Sequence, residues 1–145
     1  MKYYFDTNSD GYLSKKERNN VTLISAKYWK ISSFKGIKYF PNLKYLDCGH
    51  NNLTSLDLSG NKKLEKLNCD YNKLTALSTG NTPKLRTLYC GNNSLKTLNV
   101  SKSRSPQKLF CKPNKLTKLD VRKNKKLTAK GGIIDADKGV KIIKK

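Results

Sequence analysis

The sequence is poor in the residue types that most catalytic sites require. It contains one histidine, His50, and 10 acidic residues among 145 positions. His50 lies in an asparagine-rich turn, and serines recur in corners such as DLSGN with no histidine near them. General-base activation of a nucleophile is therefore not indicated. A glycine-rich phosphate loop is missing too. These absences predict a protein that is not an enzyme.

Long apolar stretches are also absent. No run of about 18 apolar residues occurs, which predicts no transmembrane helix and no insertion into a membrane. The first residues, MKYYFDTNSDG, contain no apolar core of a signal peptide. Either a cytoplasmic protein or a fragment of a longer chain is compatible with this beginning, and the short stretch before Asp6 favours a fragment.

What the sequence does contain is a repeat of 21 residues. Five ladders share this spacing: Leu46, Leu67, Leu88 and Leu109; Cys48, Cys69, Cys90 and Cys111; Asn51, Asn72, Asn93 and Asn114; Leu53, Leu74, Leu95 and Leu116; Leu56, Leu77, Leu98 and Leu119. Each unit reads L-x-x-L-x-C-x-x-N-x-L-x-x-L-x-[LV]-x-x-N, and four units fill residues 43–126. One such unit cannot bury an apolar face alone, whereas stacked units bury a continuous one. The spacing therefore predicts a solenoid.

These residues resemble the leucine-rich repeat family, in particular its short bacterial branch with cysteine at the sixth motif position. The resemblance covers roughly residues 31–127. It implies an α/β-type solenoid dominated by strands, with a parallel sheet on the concave face and little helix. Alternation along L-x-C agrees, because it points leucine and cysteine to the same face. The second half of each unit predicts a short extended segment on the convex side, and the recurring Asn is expected to bond backbone groups of adjacent turns.

Four positions depart from the pattern without shifting its register. Pro106 replaces the first leucine of the fourth unit, and Thr79 replaces an aliphatic residue. Thr82 and Ser103 stand where the other units have asparagine. We expect these changes to weaken the packing locally.

Both ends of the array are expected to be capped, because open solenoid ends expose apolar surface. Residues 1–20 predict a truncated EF-hand-like loop and a helix, and residues 21–42 a degenerate, longer leading repeat similar to those of internalins. A fifth unit begins at Leu127 and is expected to fail at AKGG. Residues 127–145 then predict a β-hairpin cap, since two β-branched runs flank a DKG turn. All these segments belong to one solenoid domain.

The four cysteines raise the alternatives of a zinc site or disulfides. A zinc site needs every sulfur about 2.3 Å from one metal, whereas strands about 4.8 Å apart spread the ladder over roughly 14 Å. Neighbouring Cβ vectors run parallel, which is poor disulfide geometry. We therefore expect free, buried cysteines that act as small apolar residues.

The stretch DTNSDGYLSKKE, residues 6–17, matches the calcium loop D-x-[DN]-x-[DN]-G-x5-E at every specified position. The predicted ligands of a weak, structural Ca²⁺ are Asp6, Asn8, Asp10, Tyr12, Ser14 and Glu17. SKKERNN also predicts a helix whose N-cap is Ser14, with Glu17 closing a capping box. The alternative is a polar turn before a capped helix. The arrangement resembles an EF-hand-like or dockerin-like cap in front of secreted bacterial leucine-rich repeats.

Leucine-rich repeat solenoids usually bind on the concave face, so the resemblance implies a binding surface on the residues that flank the inward Leu and Cys. The predicted partner-binding residues are Tyr45, Lys66, Tyr71, Arg86, Tyr89, Lys108, Phe110 and Lys112. Aromatic and basic residues mixed on a rigid face are typical of binding surfaces. The alternative is that β-propensity alone fills an exposed strand.

Positive charge is in large excess and unevenly placed. The chain has 31 Lys and Arg residues and a formal charge of +21. Residues 85–126 hold twelve basic residues and one acidic residue, whereas units 43–63 and 64–84 carry +1 each. In VRKNKKLTAK the lysines cluster at the corner after the second half-repeat, which predicts an edge stripe. Such a stripe favours salt-sensitive binding of polyanions.

The sequence leaves three functions open. The first is a non-catalytic, bacterial surface or secreted module that binds a protein through its concave face. The second is electrostatic binding of a polyanion, such as nucleic acid, lipopolysaccharide or a sulfated glycan, by the basic C-terminal half. The third is a structural spacer within a larger adhesin. Whether the protein is a monomer or an oligomer is not indicated.

Overall fold

A computed structural model describes residues 6–144. Its ten strands are three residues long: β1 (Leu23–Ser25), β2 (Tyr45–Asp47), β3 (Lys66–Asn68), β4 (Ala76–Ser78), β5 (Thr87–Tyr89), β6 (Thr97–Asn99), β7 (Lys108–Phe110), β8 (Lys118–Asp120), β9 (Ile133–Asp135) and β10 (Lys141–Ile143). In this part of the chain helix is confined to α1 (Lys15–Asn20), α2 (Lys125–Thr128) and a 3₁₀ turn at Ile37–Tyr39. No helix in residues 6–144 is long and apolar enough to cross a membrane.

Parallel pairing between successive turns organises the molecule. Strands β1, β2, β3, β5, β7 and β9 form one six-stranded sheet, the concave sheet, with one strand from each turn. Identical repeat positions lie opposite one another on neighbouring strands. Leu46 lies opposite Leu67, and Leu67 lies opposite Leu88. On the other side, β4 pairs with β6 and β8 with β10. The predicted strand-dominated parallel solenoid with convex-side extended segments and little helix is confirmed.

The core consists of the leucine and cysteine ladders. All four cysteines are buried and free, and Leu43, Leu64 and Leu85 are completely buried. Ala26, also completely buried, extends the cysteine ladder toward the N-terminus. Ala136 packs against the same core at the other end. The predicted small apolar role of the cysteines therefore agrees with the fold.

The first corner of each turn follows the concave strand and is built on Asn51, Asn72, Asn93 and Asn114. Asn72 shows the pattern: its Nδ2 donates to the carbonyls of Cys48 at 3.0 Å and Cys69 at 3.1 Å, while its Oδ1 accepts from Leu53 N at 2.9 Å. One side chain thus satisfies backbone groups of two neighbouring turns, which would otherwise be buried without partners. The expected role of this Asn ladder is confirmed.

The second corner follows the convex segment and is built on Asn61, Thr82, Ser103 and Asn124. Here the departures from the repeat form a buried cluster of hydroxyls. Ser103 Oγ lies 2.7 Å from Thr79 Oγ1 and 2.8 Å from Thr82 Oγ1. Thr82 Oγ1 also donates to the carbonyl of Thr79 at 2.9 Å. The substitutions therefore compensate one another, which the expectation of locally weakened packing did not include.

The N-terminal turn has the same architecture as the regular repeats. Ile24 of β1 is buried and lies opposite Leu46 of β2. These two residues are 22 positions apart, one more than the 21 of the regular repeats. Phe34, Ile37 and Phe40 fill the convex side of this turn. The leading repeat is longer than the others, as its sequence predicts.

The predicted C-terminal hairpin is wrong, because β9 and β10 do not pair with each other. β9 extends the concave sheet by pairing in parallel with β7, and β10 pairs in parallel with β8. The AKGG segment bends the chain instead of ending the array. A Cβ on Gly132 would lie 2.4 Å from the carbonyl oxygen of Leu127, so only glycine allows this close passage. β9 begins 25 residues after β7, four more than the repeat period, yet β9 and β10 complete a further turn.

Candidate binding surface

A shallow groove of about 480 Å³ lies on the N-terminal half of the concave sheet. The residues that line it include Leu23, Tyr45, Lys66, Asp70 and Tyr89. Burial raises the pKa of the Asp70 carboxyl, whose Oδ1 accepts a 2.6 Å hydrogen bond from Gly91 N. The groove thus combines exposed apolar side chains with a few fixed polar groups, as binding sites commonly do.

The structure brings Tyr45, Lys66 and Tyr89 together at this groove. Lys66 Nζ lies 5.6 Å from the Tyr89 ring centroid, within reach of a cation–π interaction. Phe110 stacks on Tyr89, with centroids 4.8 Å apart and planes 4° from parallel. A continuous aromatic surface therefore runs from the groove toward β7.

The other predicted partner-binding residues lie outside the groove. Lys108 begins β7 and Arg86 precedes β5, and both side chains are exposed. Lys112 follows β7 and its Nζ lies 2.6 Å from Asp135 Oδ1, a contact that raises the pKa of the lysine. Tyr71 is exposed beyond the end of β3. The predicted set thus divides between a groove, its C-terminal continuation and one edge.

That edge carries an aromatic stack which we call the aromatic edge: Tyr28, His50 and Tyr71. The His50 ring lies 4.3 Å from the Tyr28 ring and 4.1 Å from the Tyr71 ring, centroid to centroid. The three residues occupy the same position in successive turns, so the repeat itself places them in line. Tyr28 is 64% exposed, Tyr71 is 49% exposed and the neighbouring Trp29 is 51% exposed.

The backbone of the aromatic edge is left-handed. Tyr28, His50 and Tyr71 have φ values of 65°, 52° and 54°, a region that bulky residues rarely adopt. Asn92 takes the equivalent position in the next turn with φ 49°. Asparagine tolerates this conformation better than an aromatic residue does, so the turn itself does not require aromatic side chains. In this structure the aromatic side chains contribute the ring contacts of the stack instead.

The N-terminal loop forms the capped helix that its sequence predicts. Ser14 Oγ accepts from Glu17 N at 3.2 Å, and Glu17 Oε2 accepts from Ser14 N at 2.8 Å, which completes the capping box. Glu17 Oε1 accepts from both the N–H (2.6 Å) and the hydroxyl (2.9 Å) of Thr7. These hydrogen bonds, led by the one from Ser14, lower the pKa of Glu17 to about 2.

The predicted calcium ligands are not gathered as a metal site in this structure. Asp6 Oδ2 accepts from Gly11 N at 2.8 Å, and its buried Oδ1 has no hydrogen-bond partner among residues 6–144, which suits a cation ligand. Asp10 Oδ1 accepts from Tyr12 N, and Asn8 bonds to Asp10. Within residues 6–144, no three Asp, Glu, His or Cys side chains come close enough to share an ion. Both oxygens of Glu17, the expected bidentate ligand, thus accept hydrogen bonds from Thr7 and Ser14 in this structure.

The four buried cysteine thiols have low reactivity because they stay protonated. Burial raises the pKa of Cys48 and of Cys111 to about 12, and raises those of Cys69 and Cys90 well above the ordinary value. Cys48 Sγ donates to the carbonyl of Asn68 at 3.3 Å, on the next strand. Nucleophilic and metal-binding chemistry needs the thiolate, so this ladder serves packing.

Comparisons with known proteins agree with the repeat architecture. Residues 41–80 match a family model described as leucine-rich repeats in two copies, and residues 112–133 match a leucine-rich repeat model. The leucine-rich repeats predicted from the sequence are therefore confirmed, although neither model extends over residues 6–17. No protein with curated function matches the chain.

Among solved structures, the fold is similar to the functional domain of InlJ from Listeria monocytogenes, which includes a cysteine ladder. The TM-score is 0.80 at 36% sequence identity, over 90% of this chain. This chain spans 28% of the length of that one. The similarity establishes a leucine-rich repeat fold with a cysteine ladder, of a kind typical of binding scaffolds rather than enzymes.

Sequence reasoning missed Tyr28, Trp29, His50 and Leu23 as candidate binding residues, although it placed His50 in a surface turn. The signal was available, because Tyr28, His50 and Tyr71 are 22 and 21 residues apart, close to the repeat period. Tyr28 was overlooked because the leading repeat departs from the motif, so its equivalence to the later units was not visible.

Proposed function

We propose that this domain is a non-catalytic module that binds a protein partner through its concave sheet and aromatic edge. The observation that carries the proposal is the exposed aromatic edge in left-handed backbone. Aromatic side chains supply large contact area with few rotatable bonds, and they are enriched among residues that dominate binding energy. Conformational strain held by exposed residues indicates a role outside the fold.

The groove beside the aromatic edge supports the same function. Tyr45 and Leu23 are exposed apolar side chains on adjacent strands of a rigid parallel sheet. Tyr89 and Phe110 extend this surface. Parallel pairing through six strands fixes the spacing of these side chains, so little conformational entropy is lost when a partner docks.

A pair of variants tests this function. The purified domain is immobilised and exposed to secreted and surface proteins at about 200 mM salt, where weak electrostatic binding is largely lost. We expect one partner to be retained stoichiometrically by the wild type, and its affinity to fall at least tenfold in Tyr45→Ala/Tyr89→Ala and in Tyr71→Ala. Tyr39→Ala is the matched control, because Tyr39 is exposed on the convex side.

Two results would contradict the proposal. Either no partner is retained at that salt concentration, or Tyr39→Ala weakens binding as much as Tyr45→Ala/Tyr89→Ala and Tyr71→Ala do. A domain that retains no partner in any form would favour the spacer role instead.

We propose further that the protein acts outside the cell, secreted or on a bacterial surface. The support is the similarity to InlJ over 90% of this chain. Immunodetection of the native protein on intact cells and in the culture medium tests it; detection solely after lysis would overturn it.

A weak calcium site at the N-terminal loop stays a prediction. The free Asp6 Oδ1 supports it, whereas the engagement of Glu17 by Thr7 and Ser14 weighs against it. Millimolar calcium, measured against magnesium by thermal melting, is expected to raise the melting temperature if the loop binds it. An unchanged melting temperature in wild type, alongside a fall in Glu17→Gln without calcium, would assign the carboxylate to capping alone.

A further inference from the structure

A band of positive charge lies along the second corner of the solenoid, on the opposite side from the aromatic edge. We call it the basic edge; it consists of Lys62, Lys63, Lys84, Lys102, Arg104, Lys123, Lys125 and Lys126, all exposed. The buried residues beneath it connect successive turns, since Ser103 bonds to Thr82 on one side and accepts from Asn124 on the other. With about 4.8 Å between turns, four turns spread these cations over roughly 14 Å.

The cations of the basic edge form no salt bridges among the described residues, although the charge of Lys123 contributes to lowering the pKa of Asp120. Within residues 6–144 the ion pairs are Lys38–Asp57, Lys112–Asp135 and Arg122–Asp120, and none of them includes a member of the basic edge. Like charges held close together repel one another, which disfavours the compact state. The arrangement therefore opposes folding slightly while presenting a strong field to solvent.

The fold does not require cations at these positions. Where the third and fourth units have Lys102 and Lys123, the first two have Gly60 and Asn81. Pro83 stands at the position of Arg104. Neutral residues thus build the same corner, so the charge is an addition to the turn.

A groove of about 410 Å³ opens within the basic edge. Lys102, Arg104 and Lys123 line it, together with Asn81, Pro83 and Ser101. Three cations converge on one concavity with a hydroxyl and an amide beside them. Cations bind oxyanions through charge-assisted hydrogen bonds, and the neutral polar groups suit the hydroxyls of a sugar or of a polyol.

We propose that the basic edge is a second binding surface, independent of the concave sheet, for a linear glycopolymer that carries sulfate or phosphate esters. Nucleic acid is disfavoured because none of the residues lining the groove is aromatic, whereas single-stranded nucleic acids are held by stacking their bases on aromatic rings. The domain would then bind a protein on one side and an anionic glycan on the other.

Three probes and two matched variants test the proposal. The probes are heparin, a poly(glycerol phosphate) chain and single-stranded DNA of similar charge, each titrated at several salt concentrations. The corner variant is Lys102→Gln/Arg104→Gln/Lys123→Gln. The control variant, Lys73→Gln/Lys96→Gln/Lys115→Gln, removes three exposed positive charges from the other side of the repeat.

We expect the wild type and the control variant to bind heparin or poly(glycerol phosphate) more tightly than DNA. The corner variant should bind that glycopolymer at least tenfold more weakly, and the slope of log K against log salt should fall by about 2 to 3, as expected for three lost contacts. The tighter of the two glycopolymers identifies the ester as sulfate or phosphate. Circular dichroism and thermal melting check that all variants are folded.

Equal losses in both variants would overturn the proposal, because net charge alone would then explain binding. Binding to DNA as tight as to either glycopolymer would overturn it in favour of a nucleic-acid surface. Lysine acetylation with and without glycopolymer gives a second readout on the unmutated protein. Lys102 and Lys123 should be protected while Lys73 and Lys115 react as before, and uniform protection would contradict the assignment.

Discussion

Both corners of the solenoid contain asparagine, but the hydrogen bonds of its side chain differ between them. In the first corner, the amide of Asn72 donates to neighbouring carbonyls and its oxygen accepts from Leu53 N. In the second corner, Asn61 donates to the carbonyls of Ile37 and Phe40, and its buried oxygen has no hydrogen-bond partner in the part of the chain that the structure describes. The first corner needs both ends of the amide, whereas the second needs the donor alone.

This difference explains which corner varies. A hydroxyl can replace a single donor. It cannot replace the two N–H donors of an amide together with its separate carbonyl acceptor. The first corner therefore keeps asparagine in all four units, and the second accepts Thr82 and Ser103. The surfaces above the corners differ as well, since one carries aromatic rings and the other carries cations.

The largest expected effect comes from breaking the first corner. Asn72→Ala should lower the free energy of unfolding by about 3 kcal/mol, because it leaves buried backbone donors and acceptors of two turns without partners. Asn61→Ala in the second corner should lower it by about 1 to 2 kcal/mol, since fewer bonds are lost. Urea unfolding at neutral pH measures both, and equal losses would contradict the distinction.

The hydroxyl cluster should give a smaller effect. Ser103→Ala is expected to lower the free energy of unfolding by about 1 to 2 kcal/mol, since it leaves the Thr79 and Thr82 hydroxyls buried without their shared partner. Adding Thr79→Val should recover part of this loss, because it removes one stranded hydroxyl and restores the aliphatic residue of the other units. Additive losses in a double-mutant cycle would show that the three hydroxyls do not act together.

A titration separates the second corner from the first. The Arg122 guanidinium lowers the pKa of Asp120 from 3.8 to about 2. The folded pKa lies below the unfolded one, so this pair stabilises the fold above pH 3.8 and its contribution is lost as the pH falls toward 2. Asp120→Asn should reduce the slope of melting temperature against pH between pH 3.8 and about 2. Asn93→Ser, in the first corner, should lower the melting temperature at every pH without changing this slope. An unchanged slope in Asp120→Asn would refute the ion pair.

The smallest expected effect on stability comes from the aromatic edge. His50→Gly relieves a left-handed backbone at about 1 kcal/mol and removes two ring contacts of about 0.5 to 1.5 kcal/mol each. We expect a net loss of about 0 to 2 kcal/mol in the free energy of unfolding, measured in urea, while partner binding weakens. A large loss of stability with intact binding would instead assign the stack to the fold.

The repeat made most of the fold predictable, because a 21-residue period leaves one way to superpose the leucine and cysteine ladders. The capped helix was equally accessible, since Ser14 and Glu17 form a local pattern. The C-terminal hairpin was mispredicted because pairing between β9 and β7 spans 25 residues, and no local signal competes with the turn-like DKG. The Thr79–Ser103 contact could not be predicted for the same reason, because it joins residues of two neighbouring turns.

The surface was less predictable than the core. Tyr45, Lys66 and Tyr89 were found because strand alternation identifies their side of the sheet. The aromatic edge was not found as a stack, since it depends on the left-handed φ of Tyr28 and His50 as well as on their spacing. Side-chain direction at a turn follows from dihedral angles that composition does not encode.

The cysteine ladder provides an internal reporter of local unfolding. Each of the four free thiols is buried in a different turn of the solenoid. Alkylation requires an exposed thiolate, so the rate at which each cysteine is modified reports how often its own turn opens. Mass spectrometry of the four cysteine peptides would thus resolve the stability of this array turn by turn, without any substitution.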